Sequence, residues 1–368
     1  NSKKGNEWLK IFNHDSDNQG IHSFLDSFLS VKIILLTFGR WIKLCFKMLF
    51  FQKFLKKSIK RNNKGWLWPI FNKEWKASIF GSVAIENFLW IGLLDKAMKS
   101  IPKQELGLYL CENQAWEKAF IFFWKKNGHG ELIGVPHSTI RYWDLRYFNK
   151  NELGENLLCE PKPDKIALNG PAAMNEYIKA EQPIDNIVEV EALRFLHLKD
   201  KVRKIKTSKN NTEKLNLLLI GDYVSSLTHL NLEMLDSLNN LILENYNIYF
   251  KAHPATNISL NNYNKIKIIE TTEPLNELLP KIDIAFSTIM TSASVETFLS
   301  GIPTIITLNS DTLNFSPLRN SPGVYFINNY NELQKSLKSI RLLKTNIYLD
   351  EYYWIDSSLQ RWKKLLRL

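Results

Sequence analysis

The chain contains few cysteines, and several familiar catalytic motifs are missing from it. Only Cys45, Cys111 and Cys159 occur among 368 residues, and no two of them form a CxxC pair. Neither a disulfide framework nor a structural zinc site is therefore predicted, and the count fits a reducing, cytoplasmic compartment. No HExxH, Walker lysine loop or GxGxxG is present either. The fingerprints of zinc peptidases, P-loop enzymes and dinucleotide-binding enzymes are thus absent.

Acidic residues are missing from one long segment. Between Ser27 and Asn72 there is no Asp or Glu, whereas ten Lys and Arg residues supply nearly all of the net charge of +11. Because the rest of the chain is almost neutral, no nucleic-acid partner is predicted. Apolar residues recur at helical spacing over residues 21–60, and the longest uncharged run there, Ile33–Gly39, is far too short to span a bilayer. Two readings stay open: a basic helix of residues 27–64 on an anionic membrane surface, or a helix packed on the protein with a solvated basic face.

The rest of the pattern predicts an α/β protein. With 45% hydrophobic residues, the chain is long enough for two cored domains and extra elements. Strands and helices alternate, so parallel sheets are expected. We predict a helical, basic N-terminal region (1–100, with residues 1–20 poorly ordered), two Rossmann-like, doubly wound domains facing a cleft (101–200 and 201–345, divided by the charged linker 199–214) and a closing helix (346–368). Other predicted helices include 230–244 and 331–343.

The segment from Asn247 to Thr304 carries the main chemical signal. A buried strand ends at Lys251, Ala252 and His253, with Pro254 behind it, and a second strand runs into a Ser/Thr-rich turn and a new helix. Helix starts offer backbone N–H groups, and Thr291, Ser292 and Ser294 would add hydroxyl donors there. If the strands are parallel neighbours, His253 lies at the same sheet edge. A phosphate of a sugar-bearing nucleotide is therefore the predicted ligand.

These residues also resemble a known family. The stretches KAHPAT and DIAFSTIMTSASVETFLSGIPTI resemble the C-terminal half of GT-B glycosyltransferases that build bacterial surface polysaccharides, among them the sialyltransferase-like, Kdo-transferase-like and glycerophosphotransferase-like groups. LCENQAWEKAFIFFWKKNGHGELIGVPHSTIRYWDLRYF looks like a surface-carbohydrate-biosynthesis branch of that superfamily. The resemblance covers about Leu106 to Ile327. It implies that His253, Thr291, Ser292 and Ser294 contact the donor phosphate and that Glu296 accepts hydrogen bonds from ribose hydroxyls.

Candidate acids and bases follow predicted strands in the N-terminal half. The acidic-acidic-Gly motif that supplies the base in several sialyltransferases is missing, so the catalytic group stays open among four residues: Glu112, Glu117, His137 and Asp144. Each has a structural alternative. Glu112 could cap a helix, Glu117 could pair with a basic residue, His137 could be an ordinary loop residue, and Asp144 could pair with a neighbouring Arg.

Further residues carry weaker signals. Gly170 could let the backbone approach substrate or could turn the chain into a helix, and Asp222 could contact the acceptor or hold its turn. Lys251 could lend charge to the phosphate or be solvated. Asp15 and Asp17 form a DxD in a polar tail, where a metal site is not expected. No metal or other cofactor is predicted.

The predicted protein is a metal-independent GT-B glycosyltransferase, cytoplasmic and peripheral at the inner face of the cytoplasmic membrane. The resemblance implies a CMP-activated donor of a nonulosonic acid or Kdo-type sugar and a glycan or glycolipid acceptor in capsule or lipopolysaccharide assembly. Two alternatives remain. One is a transferase that uses a CDP-alcohol to build a glycerophosphate polymer, and the other is a non-catalytic GT-B scaffold.

Overall fold

The structure is a computed structural model, and it describes residues 2–15, 21–61, 65–136, 140, 147, 160–199, 214–289, 291–308, 313–319, 321–340 and 351–368. Its contacts divide the chain into two compact units. The first comprises residues 1–134 with 152–165, and the second comprises residues 135–151 with 166–368. The interior of the predicted linker, 200–213, lies outside the described residues. The predicted domain boundaries stay a prediction.

The first unit is mainly helical. Its helices are α1 (Ser2–Asp15), α2 (Val31–Arg61), α3 (Trp68–Phe80), α4 (Ser82–Ser100) and α5 (Ala115–Lys126), and its strands are the neighbours β1 (Leu106–Leu110) and β2 (Glu131–Val135). The predicted helical N-terminal region is confirmed. The prediction that residues 1–20 are poorly ordered is wrong for 2–15, which form α1. This helix is held by Asn13, whose side chain exchanges two hydrogen bonds with the backbone of His22 (2.7 and 3.1 Å).

A single glycine, Gly81, separates α3 from α4. At Gly81 the backbone is extended, and the chain bends by 46° between α3 and α4. A Cβ at Gly81 would lie 2.5 Å from the carbonyl oxygen of Ala77. Within the described part of the chain, no single helix has the length and apolar composition to cross a membrane. The bent pair α3 and α4 passes that test only when its two helices are taken together.

The second unit carries the remaining elements. The strands are β3 (Lys165–Leu168), β4 (Ile187–Glu189), β5 (Leu215–Ile220), β6 (Tyr246–Lys251), β7 (Ile268–Glu270), β8 (Ile284–Thr288), β9 (Thr304–Thr307) and β10 (Val324–Ile327). The helices are α6 (Pro171–Lys179), α7 (Ser225–Asp236), α8 (Asn240–Leu243), α9 (Leu275–Leu278), α10 (Ala293–Leu299), α11 (Tyr330–Ile340) and α12 (Gln360–Leu366). A 3₁₀ helix covers Leu193–Leu198.

Strands β5 to β10 form one parallel sheet in the order β7-β6-β5-β8-β9-β10. Taking β5 as the first strand, this is the Rossmann order 3-2-1-4-5-6, which reverses between β5 and β8. Helices α7 and α11 cover one face, where Phe250, Phe286 and Leu333 belong to the same buried cluster. Leu218 and Ile220 point to the opposite face, toward Leu278 and Ile282. The predicted α/β class with a doubly wound parallel sheet is confirmed.

Some predicted helices have different limits in the structure. The helix predicted at 230–244 is two helices, because α7 starts at Ser225 and ends at Asp236, and Asn239 then caps α8 by accepting the N–H of Leu241 (3.0 Å). The closing helix is only the short α12. Buried Glu191 holds its start, accepting the N–H groups of Arg361 (2.9 Å) and Trp362 (3.1 Å).

Candidate functional site

The candidate site lies at the carboxyl edge of the six-stranded sheet, where the strand order reverses. Open α/β sheets bind ligands outside this edge because the connections on either side of the reversal run in opposite directions and leave a crevice. In this chain β8, β5 and β6 end at this edge, and they are neighbours in that order in the sheet. Each of these strands is followed by polar residues.

Asp222 follows β5 and is fully buried. Its Oδ1 accepts the backbone N–H of Val224 (2.9 Å), and its Oδ2 accepts the hydroxyl of Thr288 at the end of β8. Its own N–H donates to the hydroxyl of Thr228 in α7 (2.8 Å). The carboxylate therefore ties the ends of β5 and β8 together and fixes the start of α7. Of the two readings of Asp222, the structure supports the one in which it holds the turn.

His253 follows β6 in a turn that the HPAT sequence builds. Pro254 occupies the second position of this turn, where its fixed φ is favourable, and the N–H of Thr256 closes it by donating to the carbonyl of His253 (3.0 Å). The N–H of Ala255 donates to Nδ1 of His253 (3.2 Å). An Nδ1 that accepts leaves the proton of the neutral ring on Nε2. The half-buried imidazole can therefore donate a hydrogen bond from Nε2.

Thr256 connects the turn after β6 with the turn after β5. Its hydroxyl lies 3.3 Å from the carbonyl oxygen of Asp222 and 3.2 Å from that of His253. The two turns also approach closely at Gly221, where a Cβ would lie 3.0 Å from the backbone nitrogen of His253. The orientation of the His253 ring thus depends on the turn that Asp222 holds.

The hydroxyl groups after β8 differ in their accessibility. Thr291 and Ser292 are half-buried, and Ser292 precedes α10. Thr291 Oγ1 accepts the N–H of Ala293 (3.2 Å), so this N–H of the helix start is already paired. Ser294 is only 1% exposed, and its hydroxyl donates to the carbonyl of Thr291 (2.7 Å). Ser294 therefore stabilises the turn from inside, whereas Ser292 faces a cation.

That cation is Arg194, which the sequence analysis did not select. It lies in the 3₁₀ helix Leu193–Leu198, and its guanidinium donates to Oγ of Ser292 (3.3 Å). A serine oxygen that accepts one hydrogen bond keeps its own proton free to donate to a ligand. Arg194 and Ser292 together place positive charge and a hydroxyl donor beside α10.

Glu296 lies one turn inside α10 and is 8% exposed. Burial raises the pKa of its carboxyl group above the ordinary value, and the positive charge of Arg194 counteracts this pKa shift in part. Nε2 of His197 lies 3.6 Å from its Oε2. Because the carboxyl group is nearly enclosed, any contact with a ribose hydroxyl would be made through a small opening.

Lys251 and Gly170 have internal contacts that explain their residue types. The Lys251 ammonium donates to the carbonyl of Glu273 (2.6 Å) and so holds the loop before α9. A Cβ at Gly170 would lie 1.9 Å from the carbonyl oxygen of Tyr352. Gly170 therefore allows the C-terminal segment to cross close to the start of α6, which is a packing reason for glycine. A role in contacting substrate stays a prediction for both residues.

In the first unit, Glu112 lies on the loop between β1 and α5, and Glu117 lies in the first turn of α5. Glu117 Oε1 accepts the N–H groups of Glu112 and Gln114 (both 2.9 Å), and Oε2 accepts that of Asn113 (3.0 Å). Burial raises the pKa of Glu117, although these three N–H groups lower it. Glu117 thus completes a capping box in which Gln114 is the N-cap. Its bonding partners are backbone groups rather than the basic residue considered as an alternative, and Glu112 is not the cap.

The other two predicted acid or base residues, His137 and Asp144, lie outside the described residues. His129, in the turn NGHGE, is held by backbone groups. Its Nδ1 accepts the N–H of Gln104 (3.2 Å), and its Nε2 lies 2.9 Å from the carbonyl oxygen of Met98. Within the described ranges, no group of three or more His, Cys, Asp or Glu side chains is arranged to hold a metal ion.

Comparisons with known proteins give a weak structural likeness. No family model matches the chain, and no curated protein matches it. Three solved structures illustrate the likeness. The alignment with S. aureus MnaA, in a co-structure with UDP, covers 77% of this chain and 79% of MnaA, at 11% identity and a TM-score of 0.47. The UDP-GlcNAc 2-epimerase from Neisseria meningitidis bound to UDP-GlcNAc aligns over 77% of this chain and 82% of its own, at 13% identity and a TM-score of 0.46. Anabaena Alr3699/HepE in complex with UDP-glucose aligns over 67% of this chain and 72% of its own, at 10% identity and a TM-score of 0.42. Since every TM-score here is below 0.5, the description of the fold rests on the strand order alone.

Proposed function

We propose that this chain is a GT-B-type glycosyltransferase whose donor nucleotide lies at the carboxyl edge of the six-stranded sheet. The observation that carries the proposal is the Rossmann strand order, with His253 after β6 and Ser292 after β8, the two strands that flank β5. A sheet of this kind binds nucleotides at that edge. The choice of sugar transfer over other nucleotide chemistry rests on the resemblance of KAHPAT and DIAFSTIMTSASVETFLSGIPTI to this enzyme class.

In the proposed reaction the protein stabilises the phosphate that leaves the sugar. Nε2–H of His253, the hydroxyl of Ser292 and the guanidinium of Arg194 are the donors available for its oxygens. Donors that are already oriented toward developing negative charge lower the barrier of such a step. Thr291 and Glu296 complete the proposed nucleotide site, with Glu296 at the ribose. Transfer without a metal ion is part of the proposal, and unchanged activity in EDTA is its test.

The acceptor hydroxyl needs a base, and we propose Glu112, His137 or Asp144 for this role. Glu117 is the least suitable of the four predicted residues because its oxygens already accept three backbone N–H groups. A general base contributes about 10²- to 10⁴-fold to the rate. We therefore expect Glu112→Gln to lower kcat within that range without lowering the unfolding temperature, if Glu112 is the base. An unchanged kcat would leave the role to His137 or Asp144.

For the donor, we propose a CMP-activated nonulosonic acid or Kdo-type sugar, which is transferred to a growing surface glycan of capsule or lipopolysaccharide. The support is the combination of the HP pair with the Ser/Thr turn. A CDP-alcohol is the second candidate donor, since it would use the same phosphate contacts but react at phosphorus. Product analysis with a CMP-sugar and with a CDP-alcohol separates these two reactions.

Thermal unfolding in the presence of CMP, CDP, UDP or GDP tests the nucleotide site. A ligand at 100 times its Kd stabilises a protein by about 2.7 kcal/mol, which is measurable as a rise in Tm. We expect one nucleotide to raise Tm of the full chain. His253→Ala and Ser292→Ala should each reduce that rise. The matched variants His229→Ala on α7 and Ser339→Ala on α11 should keep it, each compared with its own Tm without ligand.

Two results would contradict the proposal. If no nucleotide raises Tm at millimolar concentration, the non-catalytic scaffold becomes the better reading. If a nucleotide raises Tm equally in wild type, His253→Ala and Ser292→Ala, the nucleotide binds elsewhere and this sheet edge is not its site.

A further inference from the structure

Helix α2 shows one face to the protein and another to its surroundings. Ile33 and Thr37 are buried on the inner face. Farther along the same face, Trp41 donates from Nε1 to the carbonyl of Ile79 (3.2 Å), and Gln52 donates to the side chain of Asn72 (2.9 Å). Because Ile79 and Asn72 both lie in α3, these contacts fasten α2 to α3. The helix is therefore a packed part of the first unit rather than a free arm.

The outer face of α2 carries large apolar side chains. Leu35, Ile42, Phe46 and Phe50 follow one another at steps of seven, four and four residues, so they lie along one side of the helix. Their exposed fractions are 68%, 48%, 63% and 80%. The inner face is already satisfied, so packing within this unit does not account for these exposed side chains. A row of exposed apolar side chains of this kind marks a surface that contacts something else.

Positive charge surrounds this apolar row. The basic residues of α2 are all exposed: Lys32, Arg40, Lys43, Lys47, Lys53, Lys56, Lys57, Lys60 and Arg61. No acidic residue occurs between Ser27 and Asn72 to neutralise them. A partner must therefore offer both an apolar interior and negative charge at its surface.

We propose that the outer face of α2 lies in the headgroup region of an anionic lipid bilayer. The Phe and Leu side chains would enter the acyl boundary, and the Lys side chains would extend along the surface to the phosphates. A second copy of this chain is a poor occupant, because pairing two such faces would oppose nine cations with nine like charges. The 31 residues of α2 form a rod about 46 Å long, which would rest parallel to the membrane plane.

Vesicle sedimentation with the full chain tests this surface. We expect binding to vesicles of phosphatidylcholine with phosphatidylglycerol in low salt, weaker binding in high salt, and little binding to phosphatidylcholine alone. Each basic residue near anionic lipid is expected to change affinity about fivefold. Lys43→Gln with Lys53→Gln should therefore weaken binding by about 25-fold. Phe46→Ser with Phe50→Ser should weaken it by at least about tenfold, and more noticeably in high salt, where the charges are screened.

Matched variants in the second unit provide the controls. Leu241→Ser removes an apolar side chain that is 73% exposed, and Lys335→Gln with Lys338→Gln removes two exposed charges from α11. We expect these variants to bind vesicles like the wild type. If they lose as much binding as the α2 variants, the interaction is a general effect of charge and the proposal is wrong.

Two further outcomes would overturn it. The first is failure of the wild type to sediment with anionic vesicles in low salt. The second is a dimer in analytical ultracentrifugation that Phe46→Ser with Phe50→Ser converts to a monomer without altering vesicle binding, because the face would then be a contact between copies. Neither outcome bears on the nucleotide site, which thermal unfolding tests separately.

Discussion

Removing the carboxylate of Asp222 should destabilise the second unit because Asp222 is the buried tie between two strand ends. In Asp222→Ala the N–H of Val224 and the hydroxyl of Thr288 lose their acceptor. Thr288 is 2% exposed, so water cannot readily replace the lost bond. Each buried polar group left without a partner costs about 1 to 3 kcal/mol. For two such groups the expected loss of unfolding free energy is about 2 to 6 kcal/mol.

The assay is thermal unfolding of the full chain, followed by circular dichroism. For a unit of this size, 1 kcal/mol corresponds to about 2 to 4 °C in Tm, so a decrease of roughly 4 to 24 °C is expected. Asp222→Asn should cost less, because its amide oxygen can still accept the N–H of Val224 and the Thr288 hydroxyl can rotate to accept from the amide. Thr288→Val keeps the side-chain shape and removes only the hydroxyl.

A double-mutant cycle gives the sharper result. If Asp222 and Thr288 act through their mutual hydrogen bond, the cost of Asp222→Ala with Thr288→Val should be smaller than the sum of the two single costs, by 0.5 kcal/mol or more. The reasoning is refuted if Asp222→Ala keeps the wild-type Tm while it abolishes a nucleotide-dependent rise in Tm. Asp222 would then be a ligand contact rather than the tie that holds the edge.

Four other changes have definite expected outcomes. Gly170→Ala should lower Tm, because its Cβ would lie 1.9 Å from the carbonyl oxygen of Tyr352. The matched change Gly39→Ala in α2 should instead raise Tm, because nothing lies within 4 Å of the added Cβ and a glycine is removed from a helix. Glu117→Gln should lower Tm at neutral pH, because one carbonyl oxygen cannot accept three backbone N–H groups; an unchanged Tm would show that the capping box contributes little. Glu296→Gln tests a pH effect. Because the pKa of Glu296 is raised in the folded state, the wild-type protein loses stability as the pH increases above the ordinary value of 4.5. In unfolding scans between pH 4 and pH 8, Glu296→Gln should therefore gain stability relative to the wild type as the pH increases. Parallel stability curves for the two proteins would contradict this.

The central strands of the second unit were predictable because each contains a short apolar run. The runs LLLI in β5, IAF in β8 and II in β9 are buried, which is the pattern of a parallel strand covered on both faces. The start of α7 was not predictable in the same way. Its position depends on Asp222, whose carboxylate accepts the N–H of Val224 and the hydroxyl of Thr288, a residue 66 positions away in sequence. Helical periodicity shows only the later turns, which face the core.

The candidate site was predictable where a local motif builds it. In HPAT the proline, the histidine ring and the threonine hydroxyl act within four residues, and the structure uses all of them in one turn. Arg194 gave no such signal, since it lies in a six-residue 3₁₀ helix and meets Ser292 across 98 residues of sequence. Glu117 was selected for its place after a strand. Its capping role follows from the same place, because a carboxylate in the first turn of a helix satisfies the N–H groups that the helix leaves unpaired.

The spacing of the proposed phosphate contacts sets a condition on the ligand. His253 follows β6 and Ser292 follows β8, and β5 lies between them, so the two strands are about 10 Å apart. An anion that touches both residues must lie above the turn at Gly221, where there is no side chain in the way and the Asp222 carboxylate is directed into the protein. A diphosphate meets this condition by reaching from one strand end toward the other, whereas a single phosphate meets it only if it is centred over β5.

Because CMP and CDP differ by one phosphate and share their base, the ratio of their stabilising effects measures which arrangement the edge accepts. If CMP raises Tm as much as CDP does, and both His253→Ala and Ser292→Ala abolish the rise, one anion is centred over β5. If CDP raises Tm much more than CMP does, each of the two residues binds its own phosphate.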